Sequence, residues 1–132
     1  MSAFDAETLA NQLAALGRDL QSEVIILGGL EEYSVDCEGE YRRLETEYED
    51  QLDRALLAAE GTMELRKAAA RIKCSPAKII MLDAGLDWSR AKGKIRTQNA
   101  NLTALRSRID IGRSLLSRER ALLSLTSSGV DT

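Results

Sequence analysis

Met81, Trp88, Ile95, Leu102, Ile109, Leu116 and Leu123 recur at seven-residue steps without a miss. A second row, Ala84, Ala91, Gln98, Leu105 and Gly112, follows three residues behind the first and is made mostly of small side chains. Residues three and four apart share one face of a helix, so the two rows form a seam of large residues alternating with small ones. Another helix can approach closely along such a seam. Ser75 to Leu125 therefore reads as one helix about 75 Å long at ~1.5 Å per residue, and an apolar stripe of that length has to be covered.

The covering element is in the same chain. Leu13, Leu20, Leu27, Ser34, Tyr41, Tyr48 and Ala55 also step by seven, and Leu9, Leu16, Leu30, Cys37, Leu44 and Ala58 widen that row into a stripe. A helix from Asp5, as N-cap, to about residue 60 is expected, after a loose end at Met1 to Phe4. Gly28 and Gly29 together cost about 2 kcal/mol in a helix interior relative to alanine, and Ser34, Asp36 and Gly39 are further poor formers. The sequence thus predicts a kink or break within 28–39. Gly61 reads as a left-handed stop, and Thr62 as the cap of a short helix, Met63 to Lys73, within a connector at 61–74. Ser75 and Pro76 read as N-cap and first-turn proline of the long helix, and 126–132 as a frayed tail. The predicted fold is all-α: a long antiparallel helical hairpin of coiled-coil type, its short helix packed at the tip or extending the second arm, able to dimerise into a four-helix bundle.

Charge is split along the chain. Residues 1–65 hold 4 Lys/Arg against 16 Asp/Glu, while 66–120 hold 14 against 4, so a net charge of −3 hides −12 beside +10. With the Met81 row labelled a and the Ala84 row d, Lys78, Lys92, Lys94, Arg106, Arg108, Arg113 and Arg120 fall at e or g, the positions that flank a partner helix. The acidic half is therefore the expected partner of the basic half. Aligning the two large rows brings Tyr48 to Trp88, Tyr41 to Ile95, Leu27 to Ile109 and Leu20 to Leu116. The predicted seam is Leu20, Leu27, Tyr41, Tyr48, Trp88, Ile95, Leu102, Ile109 and Leu116, with Glu38, Glu40, Glu45 and Glu47 beside Arg90, Lys92, Lys94 and Arg96. Exposed pairs of this kind are worth about 0 to 1 kcal/mol, so they choose partner and orientation while the apolar stripe supplies stability.

The residues offer little chemistry. Histidine is absent, which removes the Ser-His-Asp and Cys-His arrangements and histidine metal ligands, and no Gly-rich loop follows a strand to cradle phosphate. Cys37 and Cys74 lie far apart in the hairpin and are expected to stay unpaired. Glu45, Glu49 and Asp53 at helical spacing read as a solvated acidic face, and Trp88, Tyr41 and Tyr48 as core layers rather than a base-stacking platform. No catalytic residue, metal, cofactor or small-molecule substrate is expected. No run approaches the ~18 apolar residues of a membrane span and no basic leader is present, so the expected location is the cytoplasm.

The run Leu-Leu-Ala-Ala-Glu-Gly-Thr at 56–62, followed by Glu64-Leu65-Arg66-Lys67-Ala68 and by Thr-Ala-Leu-Arg-Ser-Arg-Ile-Asp-Ile-Gly-Arg-Ser at 103–114, resembles small helical proteins encoded by bacteriophages of Gram-positive hosts. The resemblance covers about residues 40–118, and Gly61, Thr62, Arg66, Arg108, Asp110, Gly112 and Arg113 match the shared pattern. It implies an intracellular accessory protein encoded among replication and recombination genes, and it carries over no catalytic residue.

Two working functions follow. The first is a non-enzymatic interaction module that self-associates or binds a protein partner. Val24, Ile25, Ile26, Ile80, Ile111, Leu115 and Leu122 lie off the seam, and exposed apolar patches mark association. The expected homodimer interface is Ile26, Ile111, Leu115 and Leu122. The second is a nucleic-acid-binding accessory using the bases left over by the seam, Arg66, Lys67, Arg71, Lys73, Arg90 and Arg96, and Arg118 besides them.

Overall fold

The computed structural model describes residues 3–130, with side chains described over 5–126. Three helices follow in order, α1 (Ala3–Ala58), α2 (Met63–Lys73) and α3 (Ser75–Val130), and no strand occurs among the described residues. The long helices α1 and α3 pack on each other as an all-α hairpin. No helix among the described residues is long and apolar enough to cross a membrane. Contacts divide the chain into two units, one joining Met1–Gly28 to Arg96–Thr132, the other the continuous stretch Gly29–Ile95.

In the continuous unit, local chemistry sets the ends of the elements. Gly61 has φ 105°, a conformation that an L side chain resists, and it ends the first arm. Thr62 is extended at φ −67°, ψ 161°, and its hydroxyl accepts from the Leu65 N–H at 3.4 Å. Arg66 reaches back, its Nη2 and Nε donating to the Leu56 carbonyl at 2.9 and 3.3 Å, which satisfies an end carbonyl of α1. Ala55, Ala70 and Cys74 form a buried cluster under Tyr48, Leu52 and Leu56, so α2 packs on the end of α1 through its smallest side chains. Between α2 and α3 the hydrogen-bond ladder continues. The Cys74 N–H donates to the Ala70 carbonyl and the Lys78 N–H to the Cys74 carbonyl, each at 3.0 Å.

Higher in the same unit, Tyr41 lies against Gly85, where an added Cβ would sit 3.2 Å from the ring, and its centroid is 5.7 Å from that of Trp88. In the unit formed by the two ends of the chain, Leu102, Ile109 and Leu116 are buried. Leu13 fills the space over Gly112, where an added Cβ would come within 2.6 Å of its Cδ2.

Several sequence expectations need correction. Of the expected kink or break, the break does not occur: α1 is helical from Ala3 to Ala58 through 28–39, while the division between the two units falls between Gly28 and Gly29. Leu27 and Leu30 on either side are partly buried in the seam, and that burial outweighs the propensity cost of the glycines. Asp5 lies in the first turn of α1 rather than at its cap. Ser75 is not an N-cap, because its hydroxyl donates to the Arg71 carbonyl at 2.9 Å and Cys74 supplies the first carbonyl of α3 instead. Residues 126–130 of the expected tail belong to α3, while Met1, Ser2, Asp131 and Thr132 lie outside the described residues.

The register also differs. Tyr41, not Tyr48, meets Trp88, and Leu13 and Tyr41 each lie over a glycine of α3, Gly112 at a d position and Gly85 at the adjoining e position. Opposing two bulky rows would hold the helix axes apart, whereas large on small lets them close to native packing density. The acids follow their own helix: Glu40 and Glu47 pair with Arg43 at 2.7 and 3.1 Å and Glu45 with Arg42 at 3.5 Å, not with Arg90, Lys92, Lys94 or Arg96.

Gly28 and Gly29 have nothing within 4 Å of an added Cβ, so Gly28→Ala and Gly29→Ala should each raise stability by about 1 kcal/mol in urea unfolding. Gly61→Ala should lower it by about 1 to 2 kcal/mol, because its backbone is left-handed. The register is checked by cysteines. With Cys37 and Cys74 changed to serine, Leu13→Cys with Gly112→Cys should form an intrachain disulfide, whereas Leu27→Cys with Ile109→Cys should not.

Candidate interaction surfaces

The residues expected at the seam are all withdrawn from solvent to some degree. Leu102, Ile109 and Leu116 are buried, and Leu20, Leu27, Tyr41, Tyr48, Trp88 and Ile95 are half-buried. Two buried polar side chains interrupt the apolar line among the described residues, both in the unit formed by the chain ends. Gln98, buried at a d position, donates through Nε2 to the Glu23 backbone carbonyl at 2.9 Å and to the Glu23 carboxylate. This layer is satisfied, and a satisfied polar layer fixes register at some loss of stability. Glu119 is the opposite case. It is 1% exposed, and neither carboxylate oxygen has a hydrogen-bond partner among the described residues. The sequence reading stopped the d row at Gly112, and Glu119 is simply its next member seven residues on.

Tyr41 and Trp88 form the centre of the other unit. The Arg42 guanidinium lies 5.8 Å from the Tyr41 ring centroid and 5.4 Å from that of Trp88, and the Lys92 ammonium is 4.0 Å from the Trp88 centroid. Cations over aromatic faces stabilise each other by about 0.5 to 1 kcal/mol at exposed sites, and they occupy the ring faces a nucleobase would need. Glu45, accepting the phenolic proton of Tyr41, holds that hydroxyl above its usual range. Arg43, hydrogen-bonded to Glu40, draws that carboxyl below its usual range.

Of the bases named as nucleic-acid contacts, Arg66 is engaged by the Leu56 carbonyl and Arg90 by Asp87 at 3.4 Å. Lys67, Arg71, Lys73 and Arg96 are exposed. The engagement of Arg66 is not legible in the sequence, because a backbone acceptor ten residues away leaves no trace in local spacing. No group of three or more acidic or cysteine side chains is arranged to hold a metal among the described residues.

The apolar residues off the seam are exposed. Ile26, Ile111, Leu115 and Leu122 are at 48, 61, 44 and 46%. Ile111 and Leu115 also line a shallow groove with Leu9, Gln12 and Leu16, so apolar surface from both helices meets there. Comparison of the chain with family models, curated proteins and solved structures finds no match.

An unpaired buried carboxylate is costly to the folded state. Glu119→Leu, which keeps the volume and removes the charge, should raise stability by about 1 to 3 kcal/mol in urea unfolding. Equal or lower stability would mean that Glu119 is satisfied in solution.

Proposed function

We propose that this chain is a non-enzymatic helical interaction module that self-associates through the face carrying Ile26, Ile111, Leu115 and Leu122. The observation that carries this reading is the exposure of all four, with Ile111 and Leu115 lining a groove with Leu9, Gln12 and Leu16, and Ile26 and Leu122 farther along the same unit. A pair of helices buries one stripe of each, and packed domains need a second layer to cover what remains. Each aliphatic side chain taken out of water is worth about 1.5 to 3 kcal/mol, so a few meeting across a two-fold axis support a dimer, here a four-helix bundle. The phage resemblance adds the setting: an accessory in the cytoplasm of a host cell, acting near replication or recombination.

A second reading, nucleic-acid binding, has its own support. Glu40, Glu45 and Glu47 pair within α1 and not with Arg96, and Arg96 and the connector bases Lys67, Arg71 and Lys73 are exposed to phosphate. Non-specific phosphate contacts alone give dissociation constants of about 10⁻⁴ to 10⁻⁶ M near physiological salt, so this reading requires tighter binding than that.

Light scattering tests the first reading. The wild type should run as a dimer at tens of micromolar, and Ile111→Glu with Leu115→Glu should convert it to a monomer with unchanged helix content, since the buried Ile109 and Leu116 are untouched. A monomeric wild type would overturn self-association. Submicromolar binding to DNA with a steep salt slope would put the second reading in its place.

A further inference from the structure

We infer that the outward face of α2 and the start of α3 is a second coiled-coil seam, which receives an acidic amphipathic helix of another protein. Leu65, Ile72, Ile79 and Leu86 stand at seven-residue intervals, and Ala68, Ser75 and Leu82 fill the intervening positions, three or four residues away. The four large members are 63, 74, 60 and 53% exposed and Leu82 is 50% exposed, so the series is continuous and uncovered. Cys74 separates the two helices at φ −93° and ψ 4°, outside helical values, but i to i+4 bonds bracket it, from its N–H to the Ala70 carbonyl and from the Lys78 N–H to its own carbonyl, so the two halves of the stripe stay end to end. The inner face of the same stretch is already used: Ala70, Cys74 and Met81 are buried. Ile72 and Ile79 stand two residues away from Ala70 and Met81, roughly 200° around the helix, and so face outward.

Charge selects the occupant. From Leu65 to Leu86 the chain has five bases, Arg66, Lys67, Arg71, Lys73 and Lys78, and one acid, Asp83. Arg66 is turned to the Leu56 carbonyl, which leaves Lys67, Arg71, Lys73 and Lys78 exposed around the stripe. Counting Leu65 as a, Arg71 and Lys78 occupy g, the positions that read the flank of a partner helix. A second copy would set these bases against themselves. The acidic α1 of a second copy fits no better, because its exposed apolar residues, Val24, Ile25, Ile26, Tyr33, Val35 and Leu57, give no seven-residue series longer than Ile26 and Tyr33. A helix lying in a membrane interface needs a broad apolar face free of acids, whereas here only Met63 and Ile80 add to the seam and Glu64, Asp83 and Asp87 stand near its ends. An acidic helix with its own apolar heptad matches both the spacing and the sign.

The test uses the full chain and two fluorescent synthetic helices of several heptads, both with leucine at a and d, one with glutamate and one with lysine at e and g. In fluorescence anisotropy the glutamate helix should bind in the micromolar range and the lysine helix at least about tenfold more weakly. Ile72→Lys with Ile79→Lys should abolish binding with an unchanged helical circular dichroism spectrum, and Arg71→Glu with Lys78→Glu should reverse the preference between the probes. Ile111→Glu with Leu115→Glu should leave binding intact, so this seam can fail without the proposed self-association failing, and the reverse. Equal binding of both probes, or binding that survives the Ile72 and Ile79 changes, would overturn the inference. So would stripe-dependent sedimentation with phosphatidylserine vesicles, or a dimer lost on changing Ile72 and Ile79, since either gives the face a different occupant.

Discussion

The contact on which the rest depends is large against small across the two long helices. Leu13 sits in the space that Gly112 leaves, and Tyr41 in the space that Gly85 leaves. A two-helix pair has only one layer of side chains on each side of its interface, so the helix separation is set by the bulkiest opposed residues. A glycine opposite Leu13 and another opposite Tyr41 let the backbones come together at those layers and turn a narrow stripe into burial. Gln98 then works as a register pin, because its amide reaches the Glu23 carbonyl and carboxylate together only in this alignment.

The helical character of the chain was legible because it rests on periodicity and on local chemistry. Gly61 and Thr62 act through their own backbone and nearest neighbours, and both stand as the sequence indicates. Register was harder to read. A seven-residue repeat matches itself after every heptad, and the choice between facing rows is made by side-chain volume across the interface, a non-local quantity. The clue was present in the small row of Ala84, Ala91 and Gly112, which is wasted if it faces nothing large. Gly28 and Gly29 misled for the opposite reason: their intrinsic propensity is local, and the seam on either side overrules it.

The candidate surfaces were partly legible. Ile26, Ile111, Leu115 and Leu122 stand out in the sequence because they are apolar and out of phase with the seam, and they are exposed. Leu65, Ile72, Ile79 and Leu86 have equally regular spacing, but they were masked by the boundary drawn at Ser75 and Pro76. Only the continued hydrogen bonding through Cys74 joins them into one row. Arg66 and the acids of α1 show that a charge count alone does not say which charges are free.

Trp88 is the only tryptophan in the chain, and it lies on Tyr41 beneath Arg42 and Lys92 within the continuous unit. Intrinsic emission is therefore a local probe here. Cations near an indole and a neighbouring phenol shift its emission, so the signal follows the Tyr41 layer and is blind to the unit built from the two chain ends. Circular dichroism averages over both. If the units melt separately, the two optical signals will give two different midpoints, and two-state analysis of either one would misstate the stability of the other.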